Sequence, residues 1–283
     1  WRTGQMLDRT GTPIDPYARA APRTPLRRIG EELLLAWTLL TRIPAPHFRL
    51  ETKANLGSAF WAYPVIGAAV GGIGAAVHAA SIAIGLGMLS SFALGLAAMA
   101  LATGAFHEDG LADFMDGIGG GQSREHKLEI MRDSRLGTYG AMALIVFFVL
   151  STTLLYELAN TGWQPPLGGF AAVFICVGAM QRAAIGLPLV VLPPARSDGL
   201  AADTPNPNYR IFALGILIAT FTSLILMGPG ATLAVVAASL TAAIAVTWLA
   251  QRYLGGRTGD VLGAAASLAG VASLAALVIF GNV

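Results

Sequence analysis

Seven stretches of this sequence stay apolar for the roughly 20 residues that a bilayer's hydrocarbon core requires. They run from Ala59 to Ile84, Met88 to Phe106, Thr138 to Leu158, Gly168 to Leu192, Arg210 to Met227, Ala231 to Gln251 and Val261 to Phe280. Length alone would allow two soluble domains, but a mean hydropathy of +0.64 argues that lipid is the solvent for most of the chain. In lipid every backbone polar group must be satisfied internally, which favours helices. The predicted fold class is therefore an all-α polytopic integral membrane protein of about seven transmembrane helices. An N-terminal interfacial helix should precede them from Ile29 to Ile43, where Glu31 and Glu32 lead into LLLAWTLL, a run too short to span and stopped by Pro44 and Pro46. Residues 29–283 read as one membrane-embedded domain. Residues 1–28, rich in Arg, Pro, Thr and Gly, have no hydrophobic period and read as a mobile cytoplasmic tail. The tail lacks the apolar core of a secretory signal, and its first residue, Trp1 instead of Met, suggests a trimmed or processed start.

Charge sorting orients the spans. All 18 Lys and Arg residues fall in the N-terminal segment, in the loop after the second span, in or beside the loop from Pro193 to Tyr209, or in Arg252 to Arg257, with Arg182 alone inside the fourth span. The opposite loops, around Gly85 to Gly87, Ala159 to Leu167 and Gly228 to Gly230, contain none. Positive loops stay inside, so the N-terminus should be cytoplasmic and the C-terminus outside, with every polar motif opening on the cytoplasm. The single cysteine, Cys176, lies in an apolar run and reads as a packing residue. The GAAVGGIGAA run from Gly67 to Ala76 follows no strand, so it signals close helix packing and not a nucleotide-binding loop.

Against this background the segment from Phe106 to Gly140 stands out. It places eleven acidic or basic side chains and two histidines in thirty-five residues of a chain only 12% charged. Asp109, Asp113 and Asp116 are spaced i, i+4, i+7, which puts three carboxylates on one side of a helix. Their repulsion can be relieved by raised pKa values or by a cation, and Mg²⁺ accepts carboxylate oxygens while leaving positions for phosphates. The plain alternative is a solvated connector between spans. Gly117 and Gly119 to Gly121 would leave backbone free to approach a phosphate. Leu136-Gly137-Thr138 looks like a helix stop followed by the N-cap of the third span. Arg132, Asp133 and Arg135 cluster at that stop. They suit a pyrophosphate and a further metal ligand, or form surface ion pairs with Glu129. Arg182 beside Gln181 is an intramembrane charge, facing a wet cavity or snorkelling to the rim. The loop with Arg196, Asp198 and Asp203 reads as a lid or a substrate contact. Arg257 and Asp260 sit among the glycines of GGRTGD, where Asp260 could equally cap the last span. His107 is a candidate general base or a phosphate donor. His47, His78 and His126 read as structural or solvated. No Ser/His/Asp set, Cys/His metal cluster or nucleic-acid patch is apparent.

HEDGLADFMDG, then LEIMRDSRLGTYG, then GGRTGDVLGAA resemble the cobalamin synthase family of integral-membrane adenosylcobinamide-GDP ribazoletransferases. The likeness covers roughly the last 240 residues, with LLTRIPAPHF and YPVIGAAVGG in addition. Glu108 departs from the pattern, where an apolar residue, usually Leu, is expected. The resemblance implies a Mg²⁺-dependent phosphotransferase of the bacterial inner membrane that joins adenosylcobinamide-GDP to α-ribazole, or its 5′-phosphate, and releases GMP. It implies catalytic roles for Asp109, Asp113, Asp116 and His107, and metal ligation by Asp109, Asp113, Asp116 and Asp133. Substrate contacts would come from Arg132, Arg135, Arg182, Arg257 and Asp260. Its partners would be those small molecules and the bilayer, without nucleic acid; a homo-oligomer is compatible with it.

Three rivals remain. A cation-coupled transporter predicts carboxylates at the membrane midplane on broken helices related by repeats, whereas the acids here follow the second span and no repeat is visible. A CDP-alcohol phosphotransferase requires an Ala-Arg pair after Asp-Gly, where this chain has Ala112 and Asp113. A structural scaffold leaves the one-sided acids and arginines unexplained.

Overall fold

The computed structural model describes residues 25–45 and 55–283. Residues 1–24, most of the predicted tail, and His47 lie outside the described residues. The first helix, α1 (Pro25–Leu40), begins four residues before the predicted start at Ile29, and Arg27 and Arg28 each reach one turn ahead to Glu31 and Glu32. Both glutamates are buried, and Glu32 also accepts from the Trp61 indole at 2.7 Å. A 3₁₀ turn (Ser58–Ala62) then leads into α2 (Tyr63–Ala83), followed by α3 (Met88–Thr103), α4 (Phe106–Gly120), the short α5 (Arg124–Ile130) and α6 (Thr138–Asn160). Next come α7 (Phe170–Ala184), α8 (Gly186–Val191), a four-residue turn α9 (Leu200–Asp203), α10 (Tyr209–Met227), α11 (Pro229–Leu254) and α12 (Gly259–Gly281). Among the described residues there is no strand, only an isolated bridge between Pro194 and Arg257.

Six helical segments are long and apolar enough to cross a membrane: 58–83, α6, 170–191, α10, α11 and α12. A seventh crossing is counted only if α3 and α4 are taken together, and they meet at 90°. The bend is made by consecutive left-handed residues, Gly104 at φ 67° and Ala105 at φ 56°, the latter the only non-glycine residue with positive φ among the described residues. A side chain tolerates that conformation poorly, so the chain sacrifices local stability to turn α4 across the end of the bundle. The helix of the predicted second span thus stops at Thr103, and the acid-bearing segment is a separate helix turned 90° from it.

Packing follows the sequence pattern. Gly67 and Gly71 let α2 touch the α7 backbone, since a Cβ on either would collide with the carbonyl of Gly178 or Phe174. The small-residue run is therefore a helix-packing face. Helices α7 and α12 are the most enclosed spans, whereas α6 and α10 leave apolar faces open through Met142, Ile145, Val149, Leu217 and Phe221. Apolar surface of that extent requires a lipid solvent or a partner. His78 is buried and stacks on Phe92, and Cys176 lies in the core.

The loops sort to two ends. Arg132 pairs with Asp198, Arg124 donates to the carbonyls of Leu254 and Ala195, and Arg257 meets Pro194, which joins the loops after α4, α8 and α11. At the other end Leu167 bonds Leu226 and Trp163 packs on Phe280. The charged motifs share one end because the bundle folds them together.

Candidate functional site

The site grows out of α4 where it crosses the N-terminal turns of α6 and α12. Gly110 faces the backbone of Asp260 and Gly263, and the Ser267 hydroxyl donates to the His107 carbonyl at 3.2 Å, which fixes α4 against α12. The predicted acidic stripe is present, but it passes from open to closed along the helix. Asp109 is exposed, Asp113 is partly buried and Asp116 is buried.

Asp113 lies within electrostatic reach of three other carboxylates. Burial, then Asp260, Asp109 and Asp116, push its acid up to about 7, against the weaker pull of the Arg196 guanidinium. Asp260 stands in the first turn of α12, accepts from the Thr258 hydroxyl at 3.1 Å and pairs with Arg196 at 3.3 Å. The N-cap of α12 is Thr258, whose hydroxyl accepts from the Val261 amide, so Asp260 does not cap that span. Asp109, Asp113 and Asp260 thus form an acidic cluster with one arginine at its edge.

Asp116 has a different occupation. Its carboxylate accepts from the amides of Gly137 and Gly140, each at 2.8 Å, and so serves both halves of a capping arrangement at the start of α6 from another helix. Thr138 is accordingly not the N-cap; that position is Gly137, which has no side chain to supply a bond. Asp116, an expected metal ligand, thus accepts one amide on each carboxylate oxygen in building the start of α6. Asp133, the expected ligand outside the stripe, is held by Arg135 at 2.5–3.0 Å, and its acid falls to about 2. Arg132 pairs with Asp198 at 2.5 Å, instead of with Glu129, which ties the α5 turn to the 193–208 loop.

The glycine run is not an open phosphate loop. Gly117, Gly119 and Gly120 belong to the last turns of α4 and Gly121 caps it. A Cβ at Gly119 would enter the Tyr139 ring, and one at Gly121 would strike Lys127. Sequence reasoning missed Lys127. Its buried ammonium donates to the carbonyls of Ile118, at 2.9 Å, and Gly121, closing the C-terminus of α4. The available signal was a lysine near a run of glycines that cannot satisfy their own terminal carbonyls.

The two intramembrane-end arginines differ. Arg257 is almost fully buried and donates to four carbonyls, those of Leu189, Leu192, Ala201 and Thr204. It is a strut for the 193–208 loop. Arg182 is also buried, bonds the Gln181 side chain and leaves its Nε without a partner. Glu108 stands near it with one carboxylate oxygen unpartnered, and His107, also buried, has neither ring nitrogen bonded. His107 is therefore walled away from the open face of the acidic stripe.

Among the described residues no three His, Cys, Asp or Glu side chains are already convergent on a metal position. The donor chemistry nevertheless fits Mg²⁺. It usually keeps several waters and takes one or two carboxylates plus substrate phosphates, and the crowding at Asp113 is the repulsion such an ion relieves.

A family profile described as cobalamin-5-phosphate synthase matches residues 32–278. The chain is 40% identical over 239 residues to the adenosylcobinamide-GDP ribazoletransferase of Bradyrhizobium diazoefficiens, covering 84% of this chain and 90% of the relative. Similar proteins of the same description occur in Mesorhizobium japonicum, 40% identical over 88% of this chain and 93% of the relative, and in Azorhizobium caulinodans, 40% identical over 90% and 98%. No solved structure matches the chain.

Proposed function

The chain belongs to the cobalamin-5-phosphate synthase family and carries its ribazoletransferase function, and on that premise we propose how its residues perform the reaction. The substrates are adenosylcobinamide-GDP and α-ribazole or its 5′-phosphate. The 3′-hydroxyl oxygen of the nucleoside attacks the phosphorus attached to the cobinamide arm. A new phosphodiester forms, the anhydride bond breaks and GMP departs with the bonding electrons. The observation that carries the reading is the meeting of Asp109, Asp113 and Asp260 with Arg196 where three polar loops converge.

Phosphoryl transfer asks a protein chiefly for positioning and charge neutralisation. Two carboxylates of the set Asp109, Asp113 and Asp260 would hold Mg²⁺ together with substrate phosphates. The ion would neutralise phosphate charge as it develops on the leaving GMP. Arg196, already beside Asp260, and Arg132, on the same loop contact, are placed to meet the pyrophosphate; Arg135 extends that edge. An aspartate of the stripe takes the hydroxyl proton, since His107 is buried behind it. The polar end faces the cytoplasm of a bacterial inner membrane, supported by the one-sided placement of Lys and Arg.

The test is product identity with the purified full chain, adenosylcobinamide-GDP, α-ribazole and Mg²⁺. GMP release that requires both the nucleoside and the metal is expected. GDP release would place the attack on the other side of the cobinamide phosphate, and GMP without ribazole would indicate a pyrophosphohydrolase.

A further inference from the structure

Behind the acidic cluster the polar end encloses a cavity of about 40 Å³ that the carboxylates do not line. Its walls come from the end of α1, the starts of α2 and α4, α8, and the start of α12. Tyr63, Phe106, Leu189 and Leu262 make it largely apolar, and no Lys or Arg reaches it. One wall is His107, only 3% exposed, with neither ring nitrogen hydrogen-bonded. An imidazole always offers at least one donor, and a buried polar group left unpaired is costly, so this ring is prepared for a partner. The roof is the turn bearing Ala201 and Thr204, both of whose carbonyls accept from Arg257. Gly259, beside Asp260, is also part of the wall, which sets the cavity next to the reacting end of the site.

Aromatic and aliphatic walls with a single unpartnered imidazole match a flat heteroaromatic base, which stacks on its faces and hydrogen-bonds at one ring nitrogen. A phosphate would find no counter-charge there. We propose that this cavity receives the aromatic base of the acceptor nucleoside, with His107 donating to the base's unsubstituted ring nitrogen. The inference rests on the ribazoletransferase reading. Closed, the cavity has room for only a few waters, so the base is received only while the Ala201–Thr204 turn stands away from Arg257 and the walls part around it.

The test is equilibrium binding of α-ribazole to the full chain in detergent, alongside turnover, for the unmodified protein, His107→Leu, His107→Asn and Ala201→Phe. Loss of one buried hydrogen bond corresponds to roughly tenfold in affinity. His107→Leu and Ala201→Phe should weaken nucleoside binding by about that factor or more. The half-saturating concentration of adenosylcobinamide-GDP should stay unchanged, and His107→Asn, which keeps a donor, should recover part of the affinity. Nucleoside affinity unchanged in both His107→Leu and Ala201→Phe, or half-saturation raised equally for both substrates, overturns the pocket. If the unmodified chain binds the nucleoside with this mutational pattern but releases no GMP, the reaction fails and the pocket stands. If it turns over while the variants bind nucleoside normally, the pocket fails and the reaction stands.

Discussion

The two ends of α4 use the same residue types for opposite purposes. At the N-terminal end Asp109 and Asp113 stand open or half-open beside Asp260 and Arg196, with little to neutralise them. At the C-terminal end Asp116 is saturated by two amides, and the glycines are packed by Tyr139 and Lys127. On the proposed function, the carboxylates without amide partners would hold an ion or a substrate, whereas Asp116 holds up structure. A single acidic motif therefore divides into a chemical half and a building half, and substitutions should separate them.

The largest effect is expected in the chemical half. Asp109→Asn or Asp260→Asn should lower GMP release by roughly a hundredfold or more, with the thermal midpoint in detergent little changed. Groups that act as a unit are non-additive, so the double variant should lose little beyond either single one. Small, additive losses would return the stripe to a solvated connector. In the building half, Asp116→Ala strands the amides of Gly137 and Gly140 and should cost about 2–5 kcal/mol, read as a lower unfolding midpoint. An unchanged midpoint there would erase the distinction. The smallest effect belongs to the exposed pair of Arg132 and Asp198, whose removal by Arg132→Ala should cost about 0–1 kcal/mol of stability. A sharper fall in turnover than in stability would place Arg132 with the pyrophosphate.

Much of this was legible in the sequence because lipid imposes simple rules. Apolar runs long enough to span became helices, and glycines four apart became the contact of α2 with α7. The i, i+4, i+7 spacing gave the stripe, but spacing cannot reveal which carboxylate has partners 21 and 24 residues away. The bonds from Asp116 to Gly137 and Gly140 are tertiary, as are the four carbonyls that turn Arg257 into a strut. The 90° turn before α4 was hidden for another reason: it depends on Ala105 in a left-handed conformation that alanine's propensity opposes. The glycine run misled because glycine signals close approach equally to a phosphate and to a neighbouring side chain.

The division of α4 is tested most directly by binding of Mn²⁺, as a paramagnetic substitute for Mg²⁺, to the purified full chain and to Asp113→Asn and Asp116→Asn, each checked for a folded elution profile. The account predicts that the unmodified protein and Asp116→Asn retain the ion and that Asp113→Asn loses it. Retention by Asp113→Asn together with loss in a folded Asp116→Asn would contradict it.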